Sequence, residues 1–137
     1  IKRLTHNVRI CLPNMDEATA ITGETTVEEA LDQLLSIGPE LVVIKCGAEG
    51  SFTRMNGEII HVEPRPVKVF DAVGAGDVFN SGLITALRWG WPIKACMAFG
   101  NTTSSLYISR SEDRFPKLEQ VLETARSTYS FIPDTQH

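Results

Sequence analysis

Apolar and polar positions change period several times along the chain, and each change marks an element. Val8-Arg9-Ile10-Cys11-Leu12 reads as a short strand that stops at Pro13-Asn14. A short helix is predicted over about residues 16–22, with Gly23 placed as its C-terminal cap. Thr26 and Glu29 have capping-box spacing, and Val27, Ala30, Leu31, Leu34 and Leu35 line one face of the helix that Gly38-Pro39 ends. Leu41-Val42-Val43-Ile44 is an unbroken apolar run, which suits a strand buried on both faces. Beyond Gly47-Ala48-Glu49-Gly50, segments 51–55 and 58–62 flank Asn56-Gly57, the strongest short signal for a β-hairpin.

The second half shifts from period two to helical spacing. Val67 to Phe70 alternate like a strand, after which Val78, Phe79, Gly82, Leu83, Ala86 and Leu87 recur along a helix that ends near Trp89-Gly90. Pro92 opens another helix, with Ala95, Ala98, Phe99, Thr102 and Leu106 on its buried stripe. Pro116 opens the last one, faced by Leu118, Val121, Leu122 and Ala125, and the tail from Phe131 onward is expected to fray. Strand, helix, strand, hairpin, strand and helices together predict an α/β class: a layered α/β/α arrangement with a mostly parallel sheet plus a β-hairpin.

Composition narrows the partners. The 137 residues fit one domain, and 42% hydrophobic with 22% charged residues is ordinary for a globular protein. A net charge of −4 with scattered basic residues argues against nucleic acid, and no apolar run nears the ~20 residues of a membrane span. Ile1 in place of Met suggests a processed chain or a piece of a longer one. Cys11, Cys46 and Cys96 are odd in number and far apart, so reduced thiols and a cytoplasmic location are expected.

The chemistry concentrates in Asp71-Ala72-Val73-Gly74-Ala75-Gly76-Asp77-Val78-Phe79. Gly74-Ala75-Gly76 can turn tightly and present backbone N–H groups at the mouth of a helix, where the dipole favours anions. Asp77 at that mouth is electrostatically out of place unless it takes a proton from a group attacking a phosphate. This is no P-loop, since Gly-x-x-x-x-Gly-Lys-Ser/Thr is absent, and Phe79 stands where a dinucleotide fingerprint needs its third glycine. The bland alternative is a tight turn with Asp77 capping the helix.

Three blocks, in order, resemble the C-terminal half of a ribokinase-like (PfkB) carbohydrate kinase. Pro13-Asn14-Met15-Asp16-Glu17 resembles that family's Asn-x-x-Glu segment, Val43 to Ser51 its strand-and-glycine nucleotide loop, and Asp71 to Phe79 its Asp-Thr-x-Gly-Ala-Gly-Asp block. The resemblance implies that residues 1–137 form the nucleotide-binding and catalytic C-terminal part of a ribokinase-like fold. An N-terminal half carrying a Gly-Gly substrate motif and a lid would lie outside them, so that the piece alone would be inactive. It implies ATP-dependent phosphoryl transfer to a sugar or sugar acid hydroxyl, fructokinase-like or 2-keto-3-deoxygluconate kinase-like, in a complete protein that would be a homodimer.

Residue by residue, Asp77 would be the base, and the N–H groups of Gly74, Ala75 and Gly76 would hold the transferring phosphoryl. Lys45, Gly47, Glu49 and Gly50 would belong to the nucleotide loop, with Asn101 beside the adenine. Asn14 and Glu17 would hold Mg²⁺, through water in part. Their ordinary roles would be a turn former after proline, a first-turn acid and, for Asn101, a helix-surface amide. Asp71 matches one part of the family's monovalent-cation site, but the later loop, Ser109 to Arg114, is charged and lacks glycine, which argues against that site. Ala72 replaces the usual Thr. A competing reading keeps the nucleotide cradle without catalysis, as a binding or regulatory module.

Overall fold

The computed structural model describes residues 9–134. The chain divides into two compact units, one ending at His61 and one starting at Val62.

In the first unit, β1 (Ile10–Cys11) pairs in parallel with β2 (Leu41–Lys45), and β2 pairs antiparallel with β3 (Ser51–Met55). With β4 (Glu58–Val62) the sheet order is β1-β2-β3-β4, so the sheet is mixed. The hairpin forms where Asn56-Gly57 predicts it, with φ of 53° and 81° at the two residues. Helices α1 (Met15–Thr22) and α2 (Val27–Ile37) join β1 to β2. Gly23 closes α1 in the left-handed conformation, and Thr26 opens α2 by accepting a bond from the Glu29 N–H. Ala18, Ala30, Leu31, Leu34, Val42 and Ile44 form the core, all fully buried. The unbroken apolar run in β2 is therefore a buried central strand, as its sequence predicts.

In the second unit, α3 (Ala75–Arg88) packs along α4 (Ile93–Ile108), and α5 (Leu118–Thr128) packs on α4. Two glycines allow the α3–α4 approach. A Cβ on Gly100 would lie 2.8 Å from the Phe79 ring, and one on Gly82 would lie 3.2 Å from Gly100 Cα. Trp89 and Trp91 both meet the Phe99 ring edge-on and lie tilted to each other, at centroid separations of 5.1–5.4 Å, and close that end of the pair.

Two expectations need correction. Val67 to Phe70 form no strand; instead the Phe70 and Asp71 amides both donate to the Ile108 carbonyl, at 2.7 and 3.1 Å. Alternation alone makes no strand where the amides bond to the end of a helix instead of a neighbouring strand. The tail also does not fray over its described part. Arg126 Nη2 donates to the Asp134 carbonyl at 2.9 Å, Ile132 is buried, and the Lys94 ammonium sits 4.4 Å from the Phe131 ring centre. Val8, expected to start β1, and residues 135–137 lie outside the described residues.

Candidate active site

The first unit gathers several of the expected residues at the carboxyl ends of two parallel strands. Asn14 follows β1 and forms an isolated parallel bridge with Lys45, the last residue of β2, and the Lys45 N–H donates to the Pro13 carbonyl at 2.9 Å. Carboxyl ends of parallel strands are where open α/β sheets hold ligands. Asn14 also caps α1. Its Oδ1 accepts the Glu17 N–H at 2.8 Å, and Glu17 Oε1 accepts the Asn14 N–H at 2.9 Å. Both residues proposed for Mg²⁺ thus have a structural task that uses one oxygen each. Among the described residues no group of three or more His, Cys, Asp or Glu side chains could cage a metal. The exposed Glu17 carboxylate keeps a second oxygen, which suits an ion that retains most of its water. Magnesium held through water fits these residues; a direct cage does not.

The glycine loop after β2 is a single 3₁₀ turn, Gly47–Glu49, entered and left through positive φ at Gly47 and Gly50. The Cys46 N–H donates to the Gly50 carbonyl at 2.8 Å and closes the turn. His61 Nε2 lies 2.5 Å from the Glu49 carbonyl, with its ring stacked on Phe52 at 4.0 Å. Glu49 is exposed and Gly50 buried, so one faces solvent while the other is part of the packing. Burial, reinforced by nearby Glu49, pushes the Cys46 thiol up to about 11, so it stays protonated and is no nucleophile at neutral pH.

In the second unit the chain enters α3 through Gly74 at φ 87°, and no side chain caps the helix. Asp77 is therefore not the cap. It occupies the third helical position, with its carboxylate exposed in the first turn. Of the three amides assigned to the anion, that of Ala75 already donates to the Ala72 carbonyl at 3.1 Å, a bond with which an anion would compete. Asn101 is 5% exposed and donates through Nδ2 to the Val62 carbonyl at 2.9 Å. It is a buried amide held by backbone, not the helix-surface amide of the ordinary reading.

Two residues to which the sequence assigned no role help hold the turn. The Tyr107 hydroxyl donates to the Val73 carbonyl at 3.0 Å, and a Cβ on Gly74 would approach that hydroxyl to 3.0 Å. Arg114 Nη1 pairs with Asp71 Oδ2 at 3.5 Å, and its Nη2 donates to the Asp71 carbonyl. Asp71 Oδ1 in turn accepts the Val73 N–H at 2.9 Å. With a guanidinium already on these oxygens, the residues do not fit a monovalent-cation site. The glycine-free, charged loop after α4 was a partial signal for Arg114. For Tyr107 the sequence offers none, because its partner lies 34 residues away.

Comparison with known proteins places the chain in a family. The chain is 33% identical over 118 residues to a 1-phosphofructokinase of Haloferax volcanii, covering 82% of this chain and 39% of that protein. It is 33% identical over 108 residues to a 5-dehydro-2-deoxygluconokinase of Clostridium perfringens, covering 75% of this chain and 31% of the relative. It therefore spans well under half the length of the curated relatives it matches. Arabidopsis thaliana ribokinase complexed with ribose and ATP superposes with a TM-score of 0.84 at 27% identity, over 92% of this chain and 43% of that one. The pfkB family carbohydrate kinase model matches residues 1–120, and the chain belongs to that family.

Proposed function

We propose that the protein containing this chain transfers a phosphoryl group from ATP to a hydroxyl of a sugar or sugar acid, with residues 71–77 supplying the base and part of the anion hole. One observation carries this reading: an exposed Asp77 carboxylate in the first turn of a helix entered through left-handed Gly74 and capped by no side chain. Asp77 takes the proton of the attacking hydroxyl, which is what a carboxylate at an anion site is suited to do. The amides at the start of α3 and the helix dipole stabilise charge on the transferring group, and phosphoryl transfer needs little else from a protein. Lys45 and the 47–50 turn attract and seat nucleotide phosphates. When bound, magnesium neutralises phosphate charge, and Asn14 with Glu17 would hold it through water. The names of the relatives, a 1-phosphofructokinase and a 5-dehydro-2-deoxygluconokinase, support a sugar or sugar-acid substrate, and the ribokinase complex supports ATP as donor.

The test, made on the complete protein that contains this chain, is calorimetry of Mg-ATP binding to wild type and Asp77→Asn, followed by turnover on a panel of sugars and sugar acids. Retained nucleotide affinity with lost turnover is expected; unchanged turnover would remove Asp77 from the mechanism. The engaged Ala75 amide favours a second reading, a nucleotide-binding module without catalysis, for which wild type would bind ATP yet phosphorylate nothing on the panel.

A further inference from the structure

We propose that Arg114 is a positioning residue for the Gly74 turn: a tethered cation that neutralises and fixes the Asp71 oxygens, so that the turn holds its shape without any dissolved monovalent cation. This inference rests on the kinase reading only for what the turn is used for. Three contacts of one side chain carry it. The guanidinium pairs with the Asp71 carboxylate at 3.5 Å and donates to the Asp71 carbonyl. Its Nε donates to the Tyr107 carbonyl at 3.3 Å. Its carbon lies 4.1 Å from the centre of the Tyr107 ring, a cation–π distance. Tyr107 and Asp71 both grip the turn, one through the Val73 carbonyl and the other through the Val73 N–H.

The Arg114 side chain is 20% exposed, against 43% for Asp71, so the pair is screened only in part. Without Arg114, Asp71 Oδ2 and the Asp71 carbonyl would lose their cationic partner, leaving negative charge beside a site proposed to accept an anion. That loss would loosen the turn, and the charge would repel phosphate. The same oxygens would then form a hole that a small cation could fill, which gives the proposal a chemical signature.

The test is amide hydrogen exchange at Val73 and Ala75, both hydrogen-bonded within the loop. The full chain is measured in potassium chloride and in choline chloride at equal ionic strength. Wild type should be equally protected in both salts. Arg114→Ala should exchange about tenfold faster in choline chloride, as expected for losing a hydrogen bond to a charged group. Added potassium, or guanidinium below denaturing concentration, should restore its protection, and Arg114→Lys should keep part of it without either. A merely structural arginine would give a loss that no cation restores, and that result overturns the proposal. Unchanged protection in Arg114→Ala also overturns it. If Arg114→Ala does not fold, the wild-type pair of salts decides: potassium-dependent protection overturns the proposal, and equal protection upholds it. No phosphoryl transfer is measured, so failure of the kinase reading, seen at Asp77→Asn, remains a separate outcome.

Discussion

Helices α1 and α3 both carry a carboxylate at their third position, Glu17 in one and Asp77 in the other, yet the two acids stand in different surroundings. At α1 the cap is Asn14 in an extended conformation, φ −82° and ψ 173°, which lets the cap and the acid satisfy each other's backbone amides. At α3 the cap is Gly74 at φ 87° and ψ 0°, with no side chain to offer, and the shorter Asp77 stays exposed. The first helix start closes on itself. The second is held open and steadied from outside, by Tyr107 and by the Arg114–Asp71 pair. An acid in a first turn is thus no evidence of function on its own; the cap beside it decides whether it is tied to backbone or left to react.

The largest effect should separate the two acids. Asp77→Asn in the complete protein removes the proposed base and should lower phosphoryl transfer about 10²–10⁴-fold, measured as sugar-dependent ADP release, with the fold unchanged by circular dichroism. Next comes the turn. Gly74→Ala places a Cβ 3.0 Å from the Tyr107 hydroxyl at a φ that L-residues disfavour. It should destabilise the protein by about 1–3 kcal/mol in denaturant unfolding and slow transfer as well. Asn14→Ala should be milder on stability, about 1 kcal/mol or a few degrees in Tm, because a capping bond is lost and no strain is added. If Asn14→Ala proved neutral, α1 would not depend on its capping box, and the contrast between the two helix starts would fail.

Much of this contrast was legible in the residues. Gly23, Thr26, the β2 apolar run and Asn56-Gly57 act through neighbours a few positions away, and the structure places each as its local chemistry dictates. The Gly-Ala-Gly-Asp block was legible as well, because helix start, turn and carboxylate lie within four residues. What stayed hidden depends on distant partners. Asn101 is a buried amide whose Nδ2 donates to the Val62 carbonyl, 39 residues away. Arg114 reaches Asp71 across 43 residues. Segment 67–70 looked like a strand because alternation says nothing about which acceptor its amides will find.

The smallest effect compares the two units through their cysteines. Burial pushes Cys46 of the first unit from 9.0 up to about 11, and Cys96 of the second from 9.0 up to about 12. Burial raises the Tyr129 hydroxyl of the second unit too. Each group keeps its proton longer folded than unfolded, so above pH 9 the unfolded chain binds fewer protons and stability must fall as pH rises. The contribution is fully present below pH 9 and is lost by about pH 11 for Cys46 and about pH 12 for Cys96. Urea unfolding followed from pH 8 to 12 should show this decline. Cys46→Ser should flatten it between 9 and 11, and Cys96→Ala should flatten it up to about 12. A decline that neither substitution alters would place the loss at other groups, Tyr129 first among them. Because Cys96 is fully buried in α4 while Cys46 is only partly buried at the glycine turn, the Cys96 change should be the larger of the two.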